Sequence, residues 1–344
     1  MQIMNTSTIF CGLDIHRNGM THAALIDQTG KLVHSNKILD RTLLNFLGHY
    51  HPTKVAMEAS TAMAPVYREL TRHGYDVVVS HTMKTRLIAE SRIKTDRVDA
   101  RALAELLRLD ALPASYMPDE DISSLREMVR RRAYLVRERT KLRVKIRDCL
   151  VYNGIRRTID PDSEESNGLF TIDGVKWLQS LNLEPVNMYL RLIEALDREI
   201  DVLSSELKEK ASDDEDVRLL TTIPGIGYYS ALLIKSEIGE IDRFPNGEKL
   251  CSYAGLVPSV RSSGDYARYG SITKQGSKWL RWIMVEAAVS HATKNDTSIS
   301  RFYHSLAQRK GKQIAAVATA RKLLLCCYSV LKNRRPYYDQ AEID

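Results

Sequence analysis

The amino-acid sequence predicts an α/β domain at the N-terminus, followed by a helical coiled-coil hairpin and a mainly α C-terminal domain. Three observations carry that prediction. Residues 9–38 hold three short strand-like segments. Strand and helix patterns then alternate as far as Leu109. Beyond the proline-containing stretch 110–121, apolar residues recur near heptad spacing in two long segments. The expected boundaries are 1–112 for the first domain, 113–212 for the coiled-coil region and 213–344 for the last.

Taken in order, "IFCGLDIH" is an apolar run, "MTHAALID" follows it, "QTG" turns the chain and "KLVHSNKI" alternates. A helix is expected from about Arg41 to Tyr50, then a short strand in "KVAMEAS" ending at Glu58, then a helix near Pro65–His73. "YDVVVSH" reads as a buried strand, and helices follow over roughly Lys84–Ser91 and Arg97–Leu109. "DALPASYMPDED" (Asp110–Asp121) reads as a linker because two prolines interrupt it. Ile122–Asn153 is expected as a long helix, with Leu125, Val129, Leu142, Ile146 and Leu150 near heptad positions. Leu190–Lys210 would be its partner in a hairpin or dimerising coiled coil, across the polar loop "DPDSEESNG". From Asp216 the chain reads as helical again to Lys332, interrupted by a loop rich in Gly, Ser and Arg, "PSVRSSGDYARYGSITKQGS".

An apolar fraction of 44% is ordinary for a globular chain, whereas a net charge of +7 is not, and the excess is localised. Arg126–Arg147 holds ten Lys and Arg against two Glu, and Arg261–Arg335 holds fifteen against three acids. Segregated positive charge is the footprint of a polyanion binder, with nucleic acid the first candidate; a plain solvated basic surface is the alternative. On the first of these segments Arg130, Arg131, Arg137, Lys141 and Lys145 are the expected backbone contacts. Five cysteines without C-x-x-C or metal-ligand spacing imply reduced thiols in a cytoplasmic protein. No signal peptide is expected at the start, and the best membrane candidate, "IAAVATARKLLLCCYSVL", is broken by Arg321 and Lys322. The expectation is a soluble protein with no membrane partner.

Four carboxylates stand out. Asp14 lies in the first apolar strand, Glu58 closes the fourth, and Asp96 and Asp99 sit three residues apart in the first turn of a helix. An acid inside an apolar strand is costly unless it is paired or binds metal. Such a set suits two Mg²⁺ ions about 3.5–4 Å apart, because Mg²⁺ prefers oxygen ligands and phosphate oxygens complete its shell. Each residue also has a plainer reading. Asp96 and Asp99 favour a helix N-terminus, Glu58 closes a strand, and Asp14 bonds a nearby turn. In chain order the four match the acidic positions of an RNase H-like (RuvC-like) fold.

With "GLDIH", "MEAS", "KTDRVDARALAEL", "IPGIG", "YAGLVPSVRSSG" and "TKQGSKWLRW" in order from residue 12 to 282, the chain resembles the DEDD transposases of bacterial insertion sequences. These are bridge-RNA-guided recombinases, with pilin-gene invertases as relatives. The resemblance spans nearly the whole chain and is specific as a set. It implies an RNase H-like domain, a coiled-coil insertion and a C-terminal transposase domain. Its four acidic positions fall on Asp14, Glu58, Asp96 and Asp99, and its serine nucleophile falls on Ser263, beside Ser262. It also implies a noncoding guide (bridge) RNA whose loops pair with target and donor DNA.

The residues around Ser263 suit that chemistry in their own right. A serine hydroxyl needs a base, a metal or flanking cations to attack phosphate, and Arg261, Arg268 and Lys274 can neutralise charge on phosphoryl oxygens. The competing reading is a basic loop that only contacts backbone phosphates. "IPGIG" reads either as a helix-hairpin-helix turn, with Gly225 and Gly227 offering N–H groups to a phosphate, or as a tight interhelical turn. His16 and His81 lie near the carboxylates in sequence. Tyr266, Tyr269, Trp279 and Trp282 can stack on bases, though packing is the commoner role for the tryptophans.

The expected activity is DNA recombination: Ser263 attacks a scissile phosphate, a phosphoserine–DNA intermediate and a free 3′-hydroxyl result, and a second DNA end displaces the serine. Joining two duplexes calls for a dimer or a tetramer. The alternatives are a metal-dependent nuclease or junction resolvase using water, an actin-like ATPase or sugar kinase, and a nucleic-acid-binding protein without activity. The kinase reading lacks a second phosphate-binding half.

Overall fold

Five strands form the sheet of the first unit in the order β3-β2-β1-β4-β5. The computed structural model describes residues 8–82, 84–85, 96–155, 168–263 and 266–339, and only the backbone of residues 96–97, 260–263 and 266–269. β1 (Ile9–Ile15), β2 (Met20–Asp27) and β3 (Leu32–Leu39) make an antiparallel meander; β4 (Lys54–Glu58) pairs parallel to β1 and β5 (Val77–Ser80) parallel to β4. The period of two along each strand sorts the side chains to two faces. Cys11, Leu13, Ile15, Val55, Met57 and Val79 pack with α1 (Leu43–Tyr50) and α2 (Met63–Arg72) through Leu43, Leu47, Val66 and Leu70. On the other face Phe10, Ala56 and Val78 meet Leu103 and Leu107 of α3 (Asp96–Arg108).

The stretch expected as a linker is partly tied into this unit. Ala114 bridges Ser80 in antiparallel fashion, and the Ser115 amide donates to the Val79 carbonyl at 2.7 Å. The chain divides into two compact units after Met117. The expected helix Lys84–Ser91 lies mostly outside the described residues, as does most of "DPDSEESNG".

The second unit begins with α4 (Glu120–Tyr152), whose N-cap Asp119 accepts from the Ile122 amide at 2.7 Å. A short helix, α5 (Ile172–Ser180), and the long α6 (Glu184–Ser212) follow. α6 starts six residues before the expected Leu190, because Pro185 sits in its first turn, where a missing N–H costs nothing. α4 and α6 run antiparallel: Arg132 meets Ser204 at 2.8 Å, and Arg139 meets Asp197 at 2.5 Å further along. Their shared seam buries Val129, Ile146 and Leu150 against Leu190, Ile193 and Leu207.

The remainder is α7 (Glu215–Thr221), α8 (Tyr228–Ile238), α9 (Gly247–Tyr253), a two-stranded hairpin, α10 (Lys278–Lys294), α11 (Ser298–Lys310) and α12 (Lys312–Asn333). The segment expected as a loop is a ladder, β6 (Pro258–Ser263) with β7 (Tyr266–Ile272). Its Gly, Ser and Arg content hides a strand pattern that shows in the backbone pairing. α12 is long and apolar enough to cross a membrane by length and composition. Its Leu323, Leu324, Cys327 and Val330, however, sit in the core of this unit with Leu220, Leu232, Leu250 and Met284.

Candidate active site and nucleic-acid interface

The sheet register brings two of the expected acids together. Leu13 of β1 pairs with Met57 of β4, so Asp14 and Glu58 are the next step along two parallel neighbours. Strands lie about 4.8 Å apart. Alternation sends both residues to the face that carries Phe10 and Ala56, which α3 covers. Asp14 keeps only 17% of its side chain exposed, and His16 Nε2 lies 3.7 Å from its Oδ2.

The direction of α3 completes the placement. Gly12 lies beneath the backbone of Ala100 and Ala104, two residues before Asp14. At the other end of α3, the Arg108 guanidinium donates to the Gln28 carbonyl at 3.2 Å, beside the β2–β3 turn and the start of β1. α3 therefore runs antiparallel to β1, and its first turn, with Asp96 and Asp99, lies toward the carboxyl ends of β1 and β4. The Asp96 side chain is outside the described residues. Among the described residues, no three His, Cys, Asp or Glu side chains are gathered closely enough to cage a metal ion.

Sequence reasoning missed His22. It stands directly across the β1–β2 ladder from Asp14, with its Nε2 3.0 Å from Ser35 Oγ. The signal available was a single polar ring beside the apolar run Ala23–Ile26 of β2. His81 follows β5, its backbone amide donating to the Pro113 carbonyl at 2.7 Å.

Ser263 ends β6 and pairs with Tyr266; Ser262 pairs with Ala267, and Arg261 with Arg268. The side chains of these residues, including Tyr269, lie outside the described set, as do residues 264–265 entirely. Lys274 is exposed at the foot of the hairpin, with a left-handed φ of 54°.

The ten basic residues of α4 divide between two duties. Arg126 donates to the Ser236 carbonyl at 2.9 and 2.6 Å, Arg132 lies over the Tyr229 ring, and Arg143 and Arg147 lie over Phe170. Arg130, expected at the nucleic-acid surface, forms a two-pronged ion pair with Glu237, a carboxylate only 1% exposed. Arg131, Arg137, Lys141 and Lys145 point outward on one exposed stripe. Arg131 shares its charge with Glu127, and Lys141 with Glu138 at 2.8 Å.

In "IPGIG", Gly225 has a φ of 87°, and a Cβ there would come 2.8 Å from the Ala287 carbonyl and the His291 amide of α10. Close packing thus accounts for that glycine. The buried His291 anchors the same turn, its Nδ1–H donating to the Pro224 carbonyl at 2.6 Å. Gly227 is exposed with open space around it, at the N-cap of α8. Trp279 and Trp282 meet edge-on at 6.0 Å, so packing engages both.

Comparison with known proteins gives this arrangement its context. A family model described as "Transposase IS116/IS110/IS902 family" matches residues 217–304, and an IS110-type DEDD transposase model matches residues 11–152. The second of these spans Asp14, Glu58, Asp96 and Asp99. The chain is 25% identical to the transposase for insertion sequence element IS1111A of Coxiella burnetii, covering 91% of this chain and 86% of that one. It is 26% identical to a probable family 20 transposase of Pseudomonas aeruginosa, over 97% of this chain and 99% of that one. It is also 26% identical to the pilin gene-inverting protein of Moraxella bovis, over 77% of this chain and 75% of that one. The chain belongs to the IS110/IS116/IS902 family of insertion-sequence transposases, enzymes of DNA strand transfer.

Proposed function

We propose that this chain cuts and rejoins DNA through a serine–DNA intermediate, with Ser263 as the nucleophile and Asp14, Glu58, Asp96 and Asp99 as the metal-binding acids. The observation that carries the reading is the side-by-side placement of Asp14 and Glu58 under the start of α3. Strand order β3-β2-β1-β4-β5, antiparallel in the first three and parallel in the last two, supports an RNase H-like (RuvC-like) assignment for this unit. The donor set fits Mg²⁺, probed as two ions, because every acid in it offers hard oxygen. When bound, the cation supplies charge neutralisation at the scissile phosphate.

In this reading the Ser263 hydroxyl attacks phosphorus and gives up its proton, and the departing 3′-oxygen gains one. The phosphoserine linkage keeps the energy of the broken bond, so a second 3′-hydroxyl can displace the serine without a nucleotide cofactor. Arg261, Arg268 and Lys274 lie on the same hairpin and its foot, where they would offset phosphate charge. Arg131, Arg137, Lys141 and Lys145 would hold nucleic-acid backbone along α4, with Gly227 at the N-terminus of α8 as a further phosphate contact.

A noncoding guide RNA is the proposed source of target and donor choice: Lys and Arg on an exposed helix face suit phosphates, and phosphate contacts carry no sequence information of their own. A homo-oligomer follows from the need to join two duplexes, and Met188, Leu192 and Val202, exposed apolar side chains of α6, offer surface for it. Five free cysteines agree with a cytoplasmic location.

The test is a denaturing gel of protein incubated with Mg²⁺ and DNA from the ends of its own element. The wild type should form a protein–DNA adduct that Ser263→Ala abolishes. If Ser263→Ala still cuts, water is the nucleophile and the resolvase reading replaces this one. If only Ser262→Ala abolishes the adduct, the nucleophile is the neighbouring serine. Sequencing RNA that co-purifies with the protein tests the guide, one discrete species encoded beside the gene being the expected result.

A further inference from the structure

Glu237, at the C-terminal end of α8, is a carboxylate with 1% exposure. Burying it without partners would be strongly unfavourable. Its partners are specific. Arg130 Nε donates to Oε1 at 2.8 Å, and Arg130 Nη2 to Oε2 at 2.9 Å. Ser277 Oγ donates to Oε2 at 2.8 Å, and the same serine oxygen accepts from the Leu280 amide at 3.1 Å as the N-cap of α10. The Tyr253 hydroxyl donates to the Glu237 backbone carbonyl at 3.3 Å.

Tyr253 and Ser277 are the two feet of the β6–β7 hairpin, one just before it and one just after. The feet are stitched to each other as well. Ser277 donates to the Tyr253 carbonyl at 2.9 Å, Lys274 to Gly255 at 3.2 Å and Thr273 to Val257 at 2.9 Å, all through backbone amides. Gly276, with φ 127°, makes that approach possible, since a Cβ there would come 2.0 Å from the Tyr253 carbonyl. One residue thus grips both ends of the element that carries Ser263, and the rigid fork of Arg130 ties that residue to the long helix α4.

We propose that Glu237 is a positioning residue for the serine hairpin, fixing the angle at which the hairpin stands on the second unit. This rests on the reading of Ser263 as nucleophile. Glu237 acts through Tyr253 and Ser277 and does not meet the reacting atoms. Misplacement of a nucleophile by about 1 Å can cost on the order of 10²-fold in rate, so the effect should fall on chemistry rather than on binding.

The experiment uses full-length protein with its co-purified nucleic acid, and a fluorescent duplex from the ends of its own element as probe. It reads the single-turnover rate of adduct formation at saturating DNA, the DNA affinity and the melting temperature. Glu237→Gln should slow adduct formation by about 10- to 100-fold while DNA affinity stays within about twofold, a split that general loosening would not produce. Should that variant fail to fold, the paired replacement R130M/E237M removes both charges together and keeps the volume, a change buried pairs often tolerate. It should show the same split. Wild-type adduct rates in either folded variant overturn the proposal. Ser263→Ala is run in parallel: an adduct that survives it sinks the nucleophile reading, whereas loss of the adduct there with full rates in the Glu237 variants sinks the positioning role alone.

Discussion

Gly12 lies so close beneath Ala100 that a Cβ on Gly12 would come 2.0 Å from the Ala100 carbonyl oxygen and 2.7 Å from the Ala104 amide nitrogen. Sheet and helix touch here backbone to backbone, and that contact sets the height of the α3 first turn over Asp14 and Glu58. Gly12→Ala must lift the helix, and overpacking of this kind costs about 1–3 kcal/mol. The expected result is a lower melting temperature together with loss of DNA cleavage. Gly48→Ala in α1, where nothing lies within 4 Å, is the matched control: it should leave cleavage unchanged and melt no lower than the wild type, since Ala favours a helix over Gly.

Asp14→Asn and Glu58→Gln keep the shape of each side chain and remove its charge. Both should abolish Mg²⁺-dependent cleavage while nucleic-acid affinity measured in the absence of Mg²⁺ holds. Ligands that bind only the folded state raise the melting temperature. The wild type should therefore show a Mg²⁺-dependent rise that both variants lose. A full thermal shift in either variant would remove that acid from the proposed cradle.

How much of this was readable beforehand depends on which physical force sets each feature. β1 was legible because "IFCGLDI" is an apolar run, and the face it buries follows from alternation. α4 and the buried seam of α6 were legible from spacing, because helix-on-helix burial imposes it. The hairpin was not: "PSVRSSGDYARYGSI" lacks a strand composition, and its ladder rests on backbone pairing. α5 was missed because its nine residues hold only Leu178 and Gly174 in the core. Charge counting found the basic helix but not its division, since Arg130 and Arg131 are neighbours in sequence and face different surroundings. The adjacency of Asp14 and Glu58 needed the parallel pairing of β1 with β4, which no local pattern encodes.

That division of the α4 cations predicts two kinds of mutant. Replacing Arg131, Arg137, Lys141 and Lys145 with alanine should leave the melting temperature near that of the wild type. Each lost phosphate contact should reduce the slope of log affinity against log salt by about 0.9 for duplex DNA. Arg139→Ala removes the partner of Asp197 across the α4–α6 seam and should lower stability with the slope unchanged. Anisotropy titrations at several salt concentrations, paired with thermal melts, separate the two. An unchanged slope in the fourfold variant would move the nucleic-acid surface elsewhere.

Acid stability tests a different contact. Arg334, at the left-handed C-cap of α12, holds both Glu215 and Asp216, while Lys235 Nζ lies 3.1 Å from Asp216 and 2.5 Å from Asp214. Burial pushes the Asp216 carboxyl up, but the Arg334 hydrogen bond and the Lys235 charge outweigh it, and its pKa lies below the ordinary value. A carboxyl whose folded-state pKa is depressed contributes stability that is complete above its unfolded value, about 3.9, and is lost as pH falls through the folded value. Asp216→Asn should therefore melt at a lower temperature than the wild type at neutral pH. The gap should close as pH falls below about 4, because the wild-type carboxyl then takes up its proton and gives up the same attraction. Melts at a series of acidic pH values read this directly, and a gap that stays constant down to the acid limit would show that the α7–α12 contact owes nothing to the charge of Asp216.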